Sequence, residues 1–359
     1  MTLPSLHILG SRQFGGADQF YVRLVRALHQ SRQDVVAINR SKSPVAEALM
    51  QDGIEQIHLP LANQWDIWSI LRIRQLIAKR QPCIVQTYMG RDTRLTRLPP
   101  ETRAVHIARL GGYYKIDGYY RHAHAWVGNT RGICDYLVRS GLPHTRVFHI
   151  GNFVPEASRP PAERLAELRL TYRIPEGALV LFALGRLIDK KGFDDLLRAF
   201  AGLSIELNGR PLILLIAGEG PAKDNLKILG QELGLHERLR WLGWQRPDDF
   251  YALADLFVCP SRHEPLGNVI LEAWNYRLPV VSTATDGALE LIEDGCTGLL
   301  APCGDPEALA GRMRMALSAA EEDRRAMGNA GFELLRKKFS QAAVVQGYLD
   351  LYERLMAER

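Results

Sequence analysis

Short apolar runs separated by amphipathic stretches recur along this chain in two series, and that alternation constrains the fold more than any other feature. It is the signature of βαβ units laid into parallel sheets. The first series places strands at 6–9, 35–38, 57–59, 84–87, 105–108, 125–127 and 147–150, with helices near 17–31, 66–80 and 130–140. The periodicity lapses at Asn152-Phe153-Val154-Pro155 and the following Arg159-Pro160-Pro161, which reads as a linker. A second series follows at 179–184, 212–217, 239–242, 256–259, 280–282 and 298–300, and residues 341–356 close the chain as one amphipathic helix with Val344, Val345, Tyr348, Leu351, Tyr352 and Leu355 on its apolar side. A length of 359 residues suits two such domains.

Two doubly wound sheets bind ligands at the carboxyl ends of their strands. Composition narrows the classes: 47% hydrophobic and 24% charged residues describe a globular enzyme, and no apolar run approaches a membrane span. The N-terminus lacks the basic region and long apolar run of a signal peptide. Five scattered cysteines without a CxxC pair (Cys83, Cys134, Cys259, Cys296, Cys303) read as reduced core residues of a cytoplasmic protein and argue against zinc. Charge is uneven. Residues 1–150 hold 20 Lys and Arg against 10 Asp and Glu, the remainder 25 against 30, so the front half is the part that could meet an anionic surface. No nucleic-acid-binding motif accompanies that charge.

Three clusters carry candidate chemistry. Gly185-Arg186-Leu187-Ile188-Asp189-Lys190-Lys191-Gly192 follows a strand and opens a helix at 193–200. Glycine admits a ligand close to the backbone, the helix start offers unpaired N–H groups, and Arg186 and Lys191 add two cations suited to a diphosphate. A solvated basic loop would show the same residues. The second cluster, Pro260 to Ala273, follows the strand at 256–259; Pro265 near a first helical turn and Gly267 just inside it mark a helix start whose amides at Leu266, Gly267 and Asn268 point at an anion. Glu264 precedes that start, and Glu272 lies about 7.5 Å along the helix from Gly267 at about 1.5 Å per residue, the separation of a phosphate and a ribose. Both carboxylates would address hydroxyls, because phosphates would repel them. The same E-x7-E spacing at Glu47 and Glu55 lacks a helix start after a strand and reads as a decoy. The third cluster is Phe14-Gly15-Gly16-Ala17 at the first βα turn. GxGxxG is missing there, and Gly218-Glu219-Gly220-Pro221-Ala222-Lys223 fails it at the last position, which disfavours a dehydrogenase.

In this order Gly15-Gly16, Asn152, Gly185-Arg186 with Lys191-Gly192, Gly218-Glu219-Gly220, Leu242-Gly243-Trp244, Ala254-Asp255, Pro260-Ser261 and the Glu264–Glu272 block resemble glycosyltransferase family 4, retaining enzymes of the GT-B fold. The resemblance is dense in the back half and confined to the glycine loop in the front. Ala108 to Tyr114 with Gly128-Asn129-Thr130-Arg131 looks like bacterial members acting on lipopolysaccharide or other cell-envelope glycans. It implies an α/β, GT-B chain: two Rossmann-like doubly wound parallel-sheet domains facing across a cleft, with an acceptor-side domain at 1–153, a donor-binding domain at 154–339, and a terminal helix at 340–359 crossing back to the first. It implies a catalytic set of Arg186, Lys191 and Glu264, with Arg186 and Lys191 on the donor diphosphate and Glu264 on the donor sugar. Glu272 would hold the ribose, amides at Leu266, Gly267 and Asn268 the phosphate or sugar, Trp244 the edge of the base, and Gly15 and Gly16 the donor from the other domain. Many members carry a histidine after a front-half strand near the donor sugar; here Arg109 or His106 stands for it, while His122 and His124 read as structural. The partners implied are a nucleotide-sugar donor, a glycan or glycolipid acceptor and an anionic membrane surface, the last from the helical mix of aromatics and basics at 65–80. No D-x-D pair ends a strand, so no metal and no cofactor is expected. The expected location is the cytoplasm, against the inner face of the membrane. A nucleotide-sugar epimerase or hydrolase of the same fold, or a non-catalytic nucleotide-sugar binding module, are the alternatives.

Overall fold

The computed structural model describes residues 3–99 and 101–358. The chain divides into two compact units, Met1–Pro155 with Phe339–Arg359, and Glu156–Lys338.

The first unit is built on β1 (Ser5–Leu9), β2 (Val35–Asn39), β3 (Glu55–His58), β4 (Ile84–Thr87), β5 (Val105–Leu110), β6 (Ala125–Gly128) and β7 (Val147–His149). They pair in parallel in the order β3-β2-β1-β4-β5-β6-β7. The order in which successive strands are added therefore reverses between β1 and β4, the switch point at which open α/β sheets bind ligands. The central strands are apolar on both faces because helices cover both. β1 and β5 are buried along their whole length, whereas edge strand β3 is exposed at both ends and half-buried at its two central positions. The helix Gln341–Ala357 packs Val344, Tyr348, Leu351 and Leu355 into the same core as Phe20, Leu24 and Phe153. At roughly 25 cal/mol per Å² of apolar surface, six buried side chains anchor this terminal helix firmly.

The second unit repeats the plan with β8 (Leu179–Leu184), β9 (Glu206–Leu207), β10 (Arg210–Ala217), β11 (Leu239–Gly243), β12 (Leu256–Cys259), β13 (Val280–Thr283) and β14 (Leu299–Ala301). The parallel order is β11-β10-β8-β12-β13-β14, with β9 antiparallel to β10, so β8 and β12 flank its switch point. Its core joins the buried faces of β8 and β10 to the helices Phe193–Ala201 and Pro306–Ser318.

Three expectations need correcting. β5 runs on to Leu110, so Arg109 lies inside the strand and not beyond its end. Gly267 is not inside the following helix; that helix is Asn268–Asn275 and Gly267 caps it, with Pro265 outside the first turn. Of the cysteines only Cys83 and Cys259 are core residues, whereas Cys296 and Cys303 are exposed; all five are free thiols.

Candidate active site

Two loops leave the carboxyl ends of neighbouring strands β8 and β12 and lock together. Past β8 the chain makes a short 3-10 turn, Asp189–Lys191, and reaches Gly192 at φ 64°. A Cβ there would stand 2.1 Å from the Pro260 carbonyl oxygen, so only glycine allows the two backbones to touch. The Lys190 carbonyl accepts from the Arg262 and His263 N–H groups at 2.9 and 3.2 Å. The Arg262 guanidinium then donates to Asp194 and Asp195 at 2.6 and 2.7 Å, tying the second loop to the helix that follows the first.

This bracing brings Lys191 and Glu264 into a direct ion pair, with about a fifth of each side chain exposed (20% and 16%). Burial opposes the Lys191 charge, but the Glu264 carboxylate more than offsets it and raises the ammonium above the ordinary lysine pKa. Lys191 is thus a fixed cation at any physiological pH. The loop bearing Glu264 is held from behind: its carbonyl accepts from Gly287 N–H at 3.0 Å, and a Cβ on Gly287 would lie 2.5 Å from the Leu266 backbone. Leu266 is buried, and Gly267 adopts φ 77° before the helix Asn268–Asn275. Gly192 and Gly267 cap their helices without a side chain; the first helix carries Asp194 and Asp195 in its opening turn, both engaged by Arg262, whereas the second has no acidic residue there and leaves its start open to an anion. Glu272 sits on the second helix and accepts from the buried Tyr251 hydroxyl at 3.2 Å, which orients its carboxylate. Arg186 is exposed at the mouth of the first loop, and Trp244 stands 79% exposed past the end of β11, beside Gly243 at φ 69°.

Arg186, Lys191, Trp244, Glu264, Leu266, Gly267, Asn268 and Glu272 therefore all lie along the carboxyl edge of the second sheet or on the helices leaving it. The arrangement offers a fixed cation, two helix starts and a tethered carboxylate: the means to hold a diphosphate and a vicinal diol.

The remaining expected residues sit in the first unit. Gly15 caps the helix Gly16–Gln30, and its N–H donates to the Asp18 carboxylate at 2.8 Å, so that amide is already engaged. His106 is fully buried within β5, 3.0 Å from the Thr87 hydroxyl; burial, then His122 and His124, hold it neutral, far below the usual histidine range. Arg109 is also buried, donating to Asn152 at 2.5 Å with its guanidinium carbon 4.0 Å from the Phe20 ring centroid, and among the described residues no carboxylate pairs with it. His122 and His124 act structurally, one against the Thr93 carbonyl at 2.8 Å, the other taking the His106 N–H at 3.0 Å. The decoy behaves as one: Glu55 opens edge strand β3 and pairs with Arg80 at 2.5 Å. Sequence reasoning missed Asp92, past the end of β4 at the first switch point. It is 1% exposed, and burial pushes its carboxyl up to about 7. The signal was available, since Tyr88-Met89-Gly90-Arg91-Asp92 has the strand-end glycine context that singled out the other clusters.

The family model of the group 1 glycosyl transferases matches residues 166–334. Over 351 residues the chain is 30% identical to the lipopolysaccharide core biosynthesis glycosyltransferase LpsD of Rhizobium meliloti, covering 96% of this chain and 97% of that one. Among solved structures it is similar to a glycosyltransferase from Rickettsia africae, with a TM-score of 0.86 at 18% identity over 99% of both chains. It is similar also to Anabaena HepE in complex with UDP and glucose, with a TM-score of 0.81 at 17% identity over 98% of this chain and 100% of the other. Likeness at such identities shows the fold, the GT-B pairing of two parallel-sheet α/β domains.

Proposed function

Because this chain belongs to the group 1 glycosyl transferases, we propose that it is a retaining, metal-independent member of family 4 using a UDP-sugar donor. Its acceptor is a hydroxyl of a glycan or glycolipid in lipopolysaccharide or cell-envelope polysaccharide synthesis, a reading supported by the LpsD similarity along nearly the whole chain. The UDP in the HepE complex supports the choice of base. One observation carries the mechanism: the Lys191–Glu264 pair lies between two glycine-capped helix starts at the second switch point.

In the reaction the bond from the anomeric carbon to the diphosphate oxygen breaks, and a bond to the acceptor oxygen forms on the same face. The acceptor proton passes to the departing phosphate oxygen. Negative charge grows on that phosphate as the sugar becomes oxocarbenium-like, and Lys191, Arg186 and the helix starts are aimed at it before the reaction begins. Those cations supply the charge that a divalent ion would otherwise bring. Glu264 orients sugar hydroxyls while neutralising Lys191 in the free enzyme, and Glu272 takes the ribose diol with Tyr251 behind it.

The enzyme works at the membrane surface. Among the described residues no helix is long and apolar enough to cross a bilayer, but Trp65, Ile67, Trp68 and Leu71 are all more than half exposed at the start of the helix Ile67–Arg80. Arg72 and Arg94 lie over the Trp68 and Trp65 rings, the aromatic and basic mixture of an interfacial helix.

A thermal-shift panel of UDP-, GDP- and ADP-sugars, followed by product analysis with and without acceptor, tests the reading. Stabilisation by one UDP-sugar and an α-linked product from an α-linked donor are expected. An inverted product would remove the retaining assignment, and turnover without acceptor would point to a hydrolase or epimerase.

A further inference from the structure

The switch point of the first sheet holds a pocket that the donor chemistry does not use. Its volume is about 310 Å³, within the size range of small-molecule sites, and it opens between Gly10 after β1, Arg91 and Asp92 after β4, and Tyr114, Lys115 and Tyr119 after β5. Two glycines make room for its aromatic walls. A Cβ on Gly112 would lie 3.2 Å from the Tyr114 ring, and one on Gly90 would lie 3.2 Å from Tyr119.

Asp92 lines this pocket, is 1% exposed, and leaves its Oδ2 without a hydrogen-bond partner among the described residues. A buried carboxyl oxygen left unmatched costs stability, and a ligand hydroxyl would satisfy it. Gly10 is the only residue type that fits beside it, since a Cβ there would be 2.8 Å from the other carboxyl oxygen.

Cations gather next to it. Arg40 and Arg91 both donate to one carbonyl, that of Leu61, at 3.2 and 3.1 Å, so two guanidinium groups converge on one point. Lys115 is exposed on the pocket wall. Of the carboxylates facing Arg40, Asp92 is the buried one just described, and Asp66 is occupied capping the helix Ile67–Arg80.

We propose that this pocket is the acceptor subsite and that it selects a sugar carrying an anionic substituent, a phosphate or a carboxylate. The tyrosine rings take the apolar face of the sugar, Asp92 accepts from one of its hydroxyls, and Arg91 and Lys115 hold the anion, with the Arg40 guanidinium beside Arg91 at the Leu61 carbonyl. The inference rests on the transferase reading above, since an acceptor subsite requires a transfer.

The test is isothermal titration of the full chain with glucose 6-phosphate, glucuronate, glucose and inorganic phosphate, with UDP titrated into the same preparation. At least one anionic sugar should bind about tenfold or more tightly than both glucose and inorganic phosphate, and which of the two does so identifies the substituent. Lys115→Ala and Tyr114→Ala alter exposed side chains on the pocket wall, so the fold should persist in both; each should weaken that binding by about tenfold. Glucose or free phosphate binding as tightly as the anionic sugars, or both variants binding like the parent, would overturn the proposal. UDP binding without any anionic-sugar binding overturns it alone and leaves the donor reading standing. Failure of every nucleotide to bind removes the donor reading and this inference with it.

Discussion

The two sheets have the same strand order around their switch points, yet place opposite electrostatics there. At the second, Lys191 and Glu264 neutralise each other across two loops that glycines hold in contact. At the first, a buried Asp92 carboxyl is left incompletely paired below a cluster of arginines. Shared topology therefore sets the two candidate positions for a ligand, and the loop residues set the chemistry each offers. A pre-formed ion pair suits a ligand that exchanges one charged contact for another, as the proposed diphosphate would at Lys191. An unmatched buried carboxyl suits a ligand that brings a hydroxyl donor.

That contrast breaks most visibly at Lys191. Lys191→Ala should lower kcat by about 10²–10³-fold, the effect of removing one charge-stabilising group, while the acceptor KM changes little. A normal kcat would end its assignment to the leaving group. Next come the glycines. Gly192→Ala forces a Cβ toward the Pro260 carbonyl at φ 64°, backbone against backbone, and should destabilise the second unit by about 2–4 kcal/mol in thermal unfolding. Gly10→Ala brings a Cβ to 2.7 Å from the Leu61 Cβ and 2.8 Å from the Asp92 carboxyl, but without the positive φ of Gly192, and should cost about 1–3 kcal/mol; equal losses would erase the distinction between a braced site and an open one.

Asp92→Asn sharpens the comparison through pH. Because folding raises the Asp92 pKa to about 7 from an unfolded value near 4, the folded state holds the proton more tightly. The stability this group contributes is present in full below about pH 4 and is lost as pH rises through about 7. The Asn variant should therefore melt several degrees above the parent at pH 8, with the gain fading towards pH 4. A constant difference across that range would show that Asp92 titrates normally. The smallest effect concerns the exposed aromatic edge: Trp68→Ala should alter stability by less than about 0.5 kcal/mol while reducing flotation with anionic vesicles. Salt-insensitive flotation, or none in the parent, would remove membrane contact from the account.

Much of this organisation was legible in the sequence because buried parallel strands are short, continuous apolar runs: β4, β8 and β12 fall on the expected residues, 84–87, 179–184 and 256–259. The loops after β8 and β12 were legible for a related reason, since glycines and cations after an apolar run have few structural uses. The hairpin joining β9 to β10 was missed although Asn208-Gly209 marks it, both residues having positive φ, because β9 is only two residues long and shows no alternation. Gly267 was misplaced by one position because a helix start after proline can be registered in more than one way, and only its φ of 77° fixes it as the cap. For Asp92 the strand-end glycine context was legible, but its burial and the convergence of Arg40 and Arg91 from distant segments were not.

The central claim is best tested by a crystal structure of the chain with UDP bound. The diphosphate should lie beside Lys191, with its oxygens at the amides that open the helix after Gly267 and the ribose diol on Glu272. A nucleotide seated away from Lys191 and Gly267 would contradict it.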